Sequence, residues 1–336
     1  MGADEPLDLL VVGAGPTGLS TAAAALAAGL SVRVVDRGAI TDSIQRFPTD
    51  VVFFSTRERL AIAGVPFAIP EEKPTRRQVL AYYRAVASSL GIPLALHEEV
   101  VGIERDGAEL VVRGRRRGGE TKRRARAVAL AVGYFDTPRR LGVPGEAASW
   151  VRHRYVEPYA HFGERVLMVG GGNSAAEAAL DLWRSGARVL LVHRGPALKA
   201  TVKYWLRPDV DNRIAEGSIE ARFSTRVTAF EDGAVRLEGP AGEERVEVDA
   251  AYVLAGYEPD FALVRAAGVT VDPTTGVPRF DPTTCESDVP GIYIVGTLQA
   301  GFATHSIFIE SSREHGPRLV QHLASRLGPR SCRDLA

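Results

Sequence analysis

Two glycine-rich segments carry the chemistry that this sequence can support. The first is Gly13-x-Gly15-x-x-Gly18 and the second is Gly170-x-Gly172-x-x-Ala175. In such a turn the first glycine allows a tight bend, the second lets backbone approach a pyrophosphate, and the third lets helix and strand pack closely. Phosphates then face a helix N-terminus, where free N–H groups and the dipole favour negative charge. Asp36 lies 23 positions beyond Gly13 and His193 lies 23 beyond Gly170. A carboxylate at that register accepts from ribose hydroxyls. The His193-Arg194 pair instead attracts a 2′-phosphate, which an acid would repel. These residues predict a dinucleotide site in each half, the second preferring NADPH to NADH.

Other reactive types are sparse. There are two cysteines, Cys285 and Cys332, with no C-x-x-C spacing, so a disulfide framework and a cysteine zinc site are excluded. Cys285, in a loop, is expected to be an inert thiol, and Cys332 to have no role. Residues 113–126 (RGRRRGGETKRRAR) hold eight cations and one acid. This segment is expected to be a solvated basic hairpin, with docking of an acidic redox protein as the sharper alternative.

The elements that must position these residues repeat. Residues 8–38 and 165–195 each read as strand, glycine turn, Ala/Leu-rich helix and strand, which is a βαβ unit. Downstream of each comes an antiparallel meander, with hairpin signals at Arg105-Asp106-Gly107 and Glu231-Asp232-Gly233. The halves close on Val132-Gly133-Tyr134 and Ala255-Gly256-Tyr257. A helix is expected over 75–90. The tail offers one strand (291–297) and one helix (about 306–326), too little for a third domain. The fold class is therefore α/β, with two Rossmann-like, three-layer ββα dinucleotide-binding domains. Residues 1–143 and 258–336 form the first, and 144–257 form the second as an insertion.

Composition narrows the class further. The 336 residues are 45% hydrophobic and 24% charged, with 41 cations against 41 acids. This is globular composition, and zero net charge argues against nucleic acid as a partner. The longest weakly apolar stretch, 18–35, is too polar to span a bilayer, and an acidic N-terminus is no secretory signal. A cytoplasmic location is expected.

The motifs GAGPTG, GGGNSA, HR and V-P-G-I-Y-x-x-G resemble those of the thioredoxin-reductase-like two-dinucleotide flavoproteins over nearly the whole chain. Residues 43–56, 65–67, 73–84, 203–209 and 304–310 are most similar to the YpdA-type bacillithiol disulfide reductases. The resemblance implies FAD in the first domain, NADPH in the second, and NADPH-driven reduction of a low-molecular-weight disulfide; a homodimer or higher homo-oligomer is expected. For FAD it implies Gly13, Gly15, Pro16, Thr17, Gly18, Asp36, Arg37, Val100, Gly133, Gly296, His305 and Ser306. For NADPH it implies Gly170, Gly172, Asn173, Ser174, Ala175, His193, Arg194, Lys199 and Gly256. His305 and Ser306 would open a helix aimed at the flavin, with His305 a weak candidate proton donor.

Three departures bear on mechanism. Thr17 stands where the YpdA-type enzymes are proposed to use Cys, and a hydroxyl supplies no thiolate. A thioredoxin reductase would have C-x-x-C within 153–166, where no Cys occurs. Gly296 is followed by Thr297 rather than Asp. Thr17 can instead cap its helix or donate to a phosphate. The acceptor stays open between a small molecule and a small acidic redox protein. Ferredoxin– or flavodoxin–NADP reductase, flavin monooxygenase and a non-enzymatic redox sensor are the alternatives.

Overall fold

The computed structural model describes residues 5–328, which divide into two compact units. Unit 1 comprises residues up to Gln45, Val51–Asp136 and Glu258 onward, and unit 2 comprises Arg46–Asp50 and Thr137–Tyr257. The first boundary thus falls at Asp136 rather than at 143, and residues 46–50 group with unit 2. Cys332 lies outside the described residues.

Unit 1 is built on β1 (Leu7–Val12), β2 (Val32–Asp36), β3 (Leu94–Leu96), β4 (Glu98–Asp106), β5 (Glu109–Arg116) and β6 (Gly119–Leu130). These run in the order β3-β2-β1-β6-β5-β4. Strand β1 is buried along its whole length, as befits a central parallel strand, and its one polar residue, Asp8, accepts from Ser31 N at 2.8 Å. Strand β6 serves two sheets in one. Its first half pairs antiparallel with β5, and its second half pairs parallel with β1. The meander is therefore continuous with the parallel sheet.

Helix α1 (Pro16–Ala27) is rich in small residues, which lets it lie close to its neighbours. Two short helices follow, α2 (Asp42–Gln45) and α3 (Arg57–Leu60). Helix α4 (Arg76–Ser89) begins where the sequence places it. Thr75 Oγ1 accepts from Gln78 N while Gln78 Oε1 accepts from Thr75 N at 2.8 Å, which is a capping box.

In unit 2, β7 (Thr137–Pro138) and β8 (Val151–Arg152) precede β9 (Arg165–Val169), α5 (Asn173–Arg184), β10 (Arg188–His193), α6 (Arg207–Ala215) and β11 (Glu220–Phe223). The meander is β12 (Arg226–Glu231), β13 (Ala234–Gly239) and β14 (Gly242–Glu247), here a separate three-stranded sheet. Strand β15 (Ala250–Val253) returns to the parallel sheet, whose order is β11-β10-β9-β15-β8. Alternate residues of β9 and β10 feed two cores: Val166, Met168 and Leu191 pack under α5, and Leu167, Val169 and Leu190 face the meander.

Past β16 (Tyr257–Glu258) come α7 (Ala262–Ala266) and β17 (Ile292–Ile294), which joins β6 in parallel and completes the unit 1 sheet. The expected single helix over 306–326 is two helices, α8 (Ile309–Ser312) and α9 (His315–Leu327), separated by Arg313-Glu314. Tertiary bonds hold this break. Arg313 Nη1 donates to Glu58 O at 2.8 Å, and Ser20 Oγ donates to Arg313 O at 2.7 Å.

Candidate functional site

The first glycine turn links β1 to α1. Gly13 takes φ +113°, and a Cβ there would stand 2.4 Å from Ala131 O, so only glycine fits. A Cβ on Gly18 would stand 1.9 Å from Gly13 O. Around Gly15 no atom lies within 4 Å of that position, so the chain leaves room for a ligand to touch backbone. Helix α1 has Pro16 in its first turn, no side-chain cap and no acid there. Its leading N–H groups are thus unclaimed by side chains, which suits a pyrophosphate.

Asp36 ends β2. Its Oδ2 accepts from Ala14 N at 2.6 Å and its Oδ1 from Gly38 N at 2.7 Å. Burial pushes its pKa above the ordinary carboxylate value despite these two donors. The carboxylate therefore fastens the glycine turn to β2, and each oxygen keeps a lone pair for a ribose hydroxyl. Arg37 forms an ion pair with Asp136. Val100 sits at a bulge of β4 and packs against the apolar core of the unit.

Thr17 departs from expectation. It caps no helix; its hydroxyl shares a 2.8 Å hydrogen bond with Ser312 Oγ, and Ser312 is buried. Thr17 also lies against Gly296, whose φ is +77° and whose Cβ position is 3.3 Å from Thr17 Oγ1. Thr297 Oγ1 lies 3.7 Å from the Cβ position of Gly133. The turns at 13–18, 133 and 296–297 are thus brought together.

His305 and Ser306 do not open a helix. They lie exposed in a turn before α8, where Ser306 Oγ donates to Ala303 O at 2.8 Å. Two residues that the sequence reading missed stand behind this site, Ser312 and His315. The only signal was polar residues beside Gly316 inside an apparent helix.

In unit 2 the same grammar recurs. A Cβ on Gly170 would stand 2.6 Å from Leu254 O, whereas around Gly172 the space is open to 4 Å. Ala175 is fully buried and lies 2.8 Å from the Cβ position of Gly170. Helix α5 has neither a side-chain cap nor an acid in its first turn, and Ser174 is exposed there. Asn173 instead pins the following loop, accepting from Lys203 N at 2.9 Å and donating to Thr201 O at 3.3 Å. Lys199 N donates to Gly171 O at 2.8 Å.

The His193 ring covers Gly171, whose Cβ position is 2.5 Å from the imidazole. Burial, then Lys199 and Arg194, lower its pKa, so His193 is neutral near pH 7. Positive charge around His193 therefore comes from Arg194 and Lys199, both exposed. Gly256, with φ +105°, accepts from Arg139 N at 2.9 Å.

Cys285 is fully buried, and burial raises its pKa. Gln299 Nε2 lies 3.5 Å from its Sγ, a structural setting rather than a reactive one. The basic hairpin is largely neutralised. Arg113 pairs with Glu104, Arg115 with Glu99, Arg123 with Glu98, Arg124 with Glu109 and Arg126 with Asp8, which is five of its eight cations. Among the described residues no cluster could hold a metal, and no helix is long and apolar enough to cross a membrane.

Comparison with known proteins agrees with this geometry. The model for the pyridine nucleotide-disulphide oxidoreductases matches residues 10–296. Bacilliredoxin reductase Bdr of Bacillus subtilis is 33% identical over 323 residues, covering 94% of this chain and 97% of that protein. A ferredoxin–NADP reductase of Ignicoccus hospitalis is 25% identical, covering 87% of this chain and 90% of that one. Among solved structures, bacillithiol disulfide reductase Bdr (YpdA) from Bacillus cereus superposes with a TM-score of 0.94 at 32% identity, covering 96% of this chain and all of that one. The protein of the same name from Staphylococcus aureus gives 0.91 at 28%, with coverage of 96% and 99%. The chain is an NADPH-dependent flavoprotein oxidoreductase with FAD and NADPH as its cofactors, and it belongs to the pyridine nucleotide-disulphide oxidoreductase family.

Proposed function

We propose that this protein reduces a small disulfide of the bacillithiol type at the expense of NADPH, with FAD in unit 1 and NADPH in unit 2. The reaction takes NADPH, a proton and one disulfide to NADP⁺ and two thiols. The observation that carries the acceptor is the end-to-end likeness to two solved structures named for bacillithiol disulfide reduction. The paired charges of the 113–126 hairpin point the same way, since they leave a reduced basic face for an acidic protein.

When bound, FAD supplies two-electron chemistry between a nicotinamide and a disulfide. The chain's own residues supply place and charge. Gly13, Gly15 and Gly18 let the α1 N-terminus meet the FAD pyrophosphate, and Asp36 receives the ribose. Pro16 presets the first turn of α1, and Gly133, Thr297 and Gly296 line the flavin side with Thr17. In unit 2, Gly170, Gly172 and Ala175 shape the NADPH pyrophosphate turn, with Ser174 at the helix start. Arg194 and Lys199 take the 2′-phosphate.

Thr17 cannot form a mixed disulfide, and Cys285 is enclosed. Among the described residues no thiol relay exists, so the disulfide is reduced without a covalent bond to them. The test is anaerobic NADPH oxidation with bacillithiol disulfide or ferredoxin as sole acceptor. Bacillithiol disulfide should raise the rate above an acceptor-free control. Stimulation by ferredoxin alone would overturn the proposal.

A further inference from the structure

Helix α9 opens on His315, whose ring is buried at 7% exposure. Its Nδ1 accepts the Gly296 N–H at 3.1 Å, which puts the ring proton on Nε2. Burial, with Arg318 adding to it, lowers the pKa of His315 to about 4, so at neutral pH the acceptor is available. The peptide that it holds lies where Thr17 meets the end of β17, in the positive-φ conformation of Gly296.

Other bonds near this turn serve other atoms. Gln299 Nε2 donates to Ile294 O at 2.7 Å, and Val295 N donates to Leu130 O at 3.1 Å. The imidazole cannot drift, because Gly316 seats α9 on α1: a Cβ on Gly316 would stand 2.5 Å from Thr21 Cα. A buried N–H that loses its acceptor must be desolvated without return or turn away, and Gly296 has the backbone freedom to turn.

We infer that His315 is a positioning residue for the flavin, acting through the Gly296 N–H to fix the 296–297 turn that faces Thr17 and Gly133. The inference rests on the assignment of FAD to unit 1. It gives a task to a buried imidazole remote in sequence from both glycine motifs.

The test compares FAD dissociation and the flavin absorption spectrum in His315→Leu, His315→Asn and His315→Gln. Asn places its Oδ1 near the site of Nδ1, whereas Gln reaches toward that of Nε2. Leu should weaken FAD binding by roughly tenfold and shift the flavin bands, as loss of a buried acceptor implies. Asn should restore the parent spectrum and most of the affinity. If Leu fails to fold, the Asn and Gln variants decide, with Asn close to the parent and Gln impaired. Parent-like FAD binding in Leu, or equal loss in Asn and Gln, would overturn the inference. Asp36→Ala separates this from the underlying assignment. If that change leaves FAD affinity intact, unit 1 does not bind FAD as proposed. If it weakens FAD while Leu does not, His315 alone has been misjudged.

Discussion

Arg194 stands one residue past the register at which unit 1 carries Asp36, it is exposed, and the proposed function gives it the 2′-phosphate. Because His193 is neutral, the charge there comes from Arg194 and Lys199. Arg194→Ala should raise KM for NADPH roughly tenfold, the worth of one charge-assisted hydrogen bond, and barely change that for NADH. Equal losses for both nucleotides in steady-state assays would contradict the assignment. Cys285 gives a second expectation at this scale. In a Cys332→Ser background a thiol reagent should label Cys285 only after denaturation, and adding Cys285→Ser should leave NADPH–dye turnover nearly unchanged. Rapid labelling of the native protein would show an accessible thiol. Residue types and spacing point to the glycines and Asp36, because their contacts are local to one strand–turn–helix. Ser312 and His315 were hidden, since their partners Thr17 and Gly296 come from other parts of the chain.

The two strand–turn–helix elements divide their glycines into kinds. Gly13, Gly18 and Gly170 are required by the fold, since a Cβ on any of them would collide with backbone. Gly15 and Gly172 border open space and hold extended backbone, with φ −74° and −103°, that any residue can adopt. Gly15→Ala should therefore leave thermal unfolding within about 1 kcal/mol of the parent yet weaken FAD severely. Gly172→Ala should do the same for NADPH. Gly18→Ala should destabilise unit 1 itself. Calorimetry with nucleotide titrations checks the contrast, and a large stability loss in Gly15→Ala would remove the case for a ligand there. Helix α4 was legible because Thr75 and Gln78 form its cap within four residues. The break at Arg313-Glu314 was not, because the bonds that hold it reach Ser20 and Glu58.

At the scale of the molecule, the repeat of one βαβ pattern made both parallel sheets readable, and a tail too short for a third domain made the return of β17 to the first sheet readable. The pairing of the basic hairpin was less so, because its acids Glu98, Glu99 and Glu104 lie on the neighbouring strand β4. A hydroxyl at residue 17, hydrogen-bonded to Ser312, lies inside a fold shared with bacillithiol disulfide reductases. Thr and Cys are close in volume, so Thr17→Cys should keep FAD bound while adding a nucleophile beside Gly296. The decisive measurement is the anaerobic rate at which bacillithiol disulfide reoxidises the NADPH-reduced protein, for the parent and for Thr17→Cys. The parent should react measurably but slowly, and the variant should be faster by roughly tenfold or more, one decade being about 1.4 kcal/mol of barrier. A parent that shows no reoxidation by the disulfide would contradict thiol-free reduction at this site.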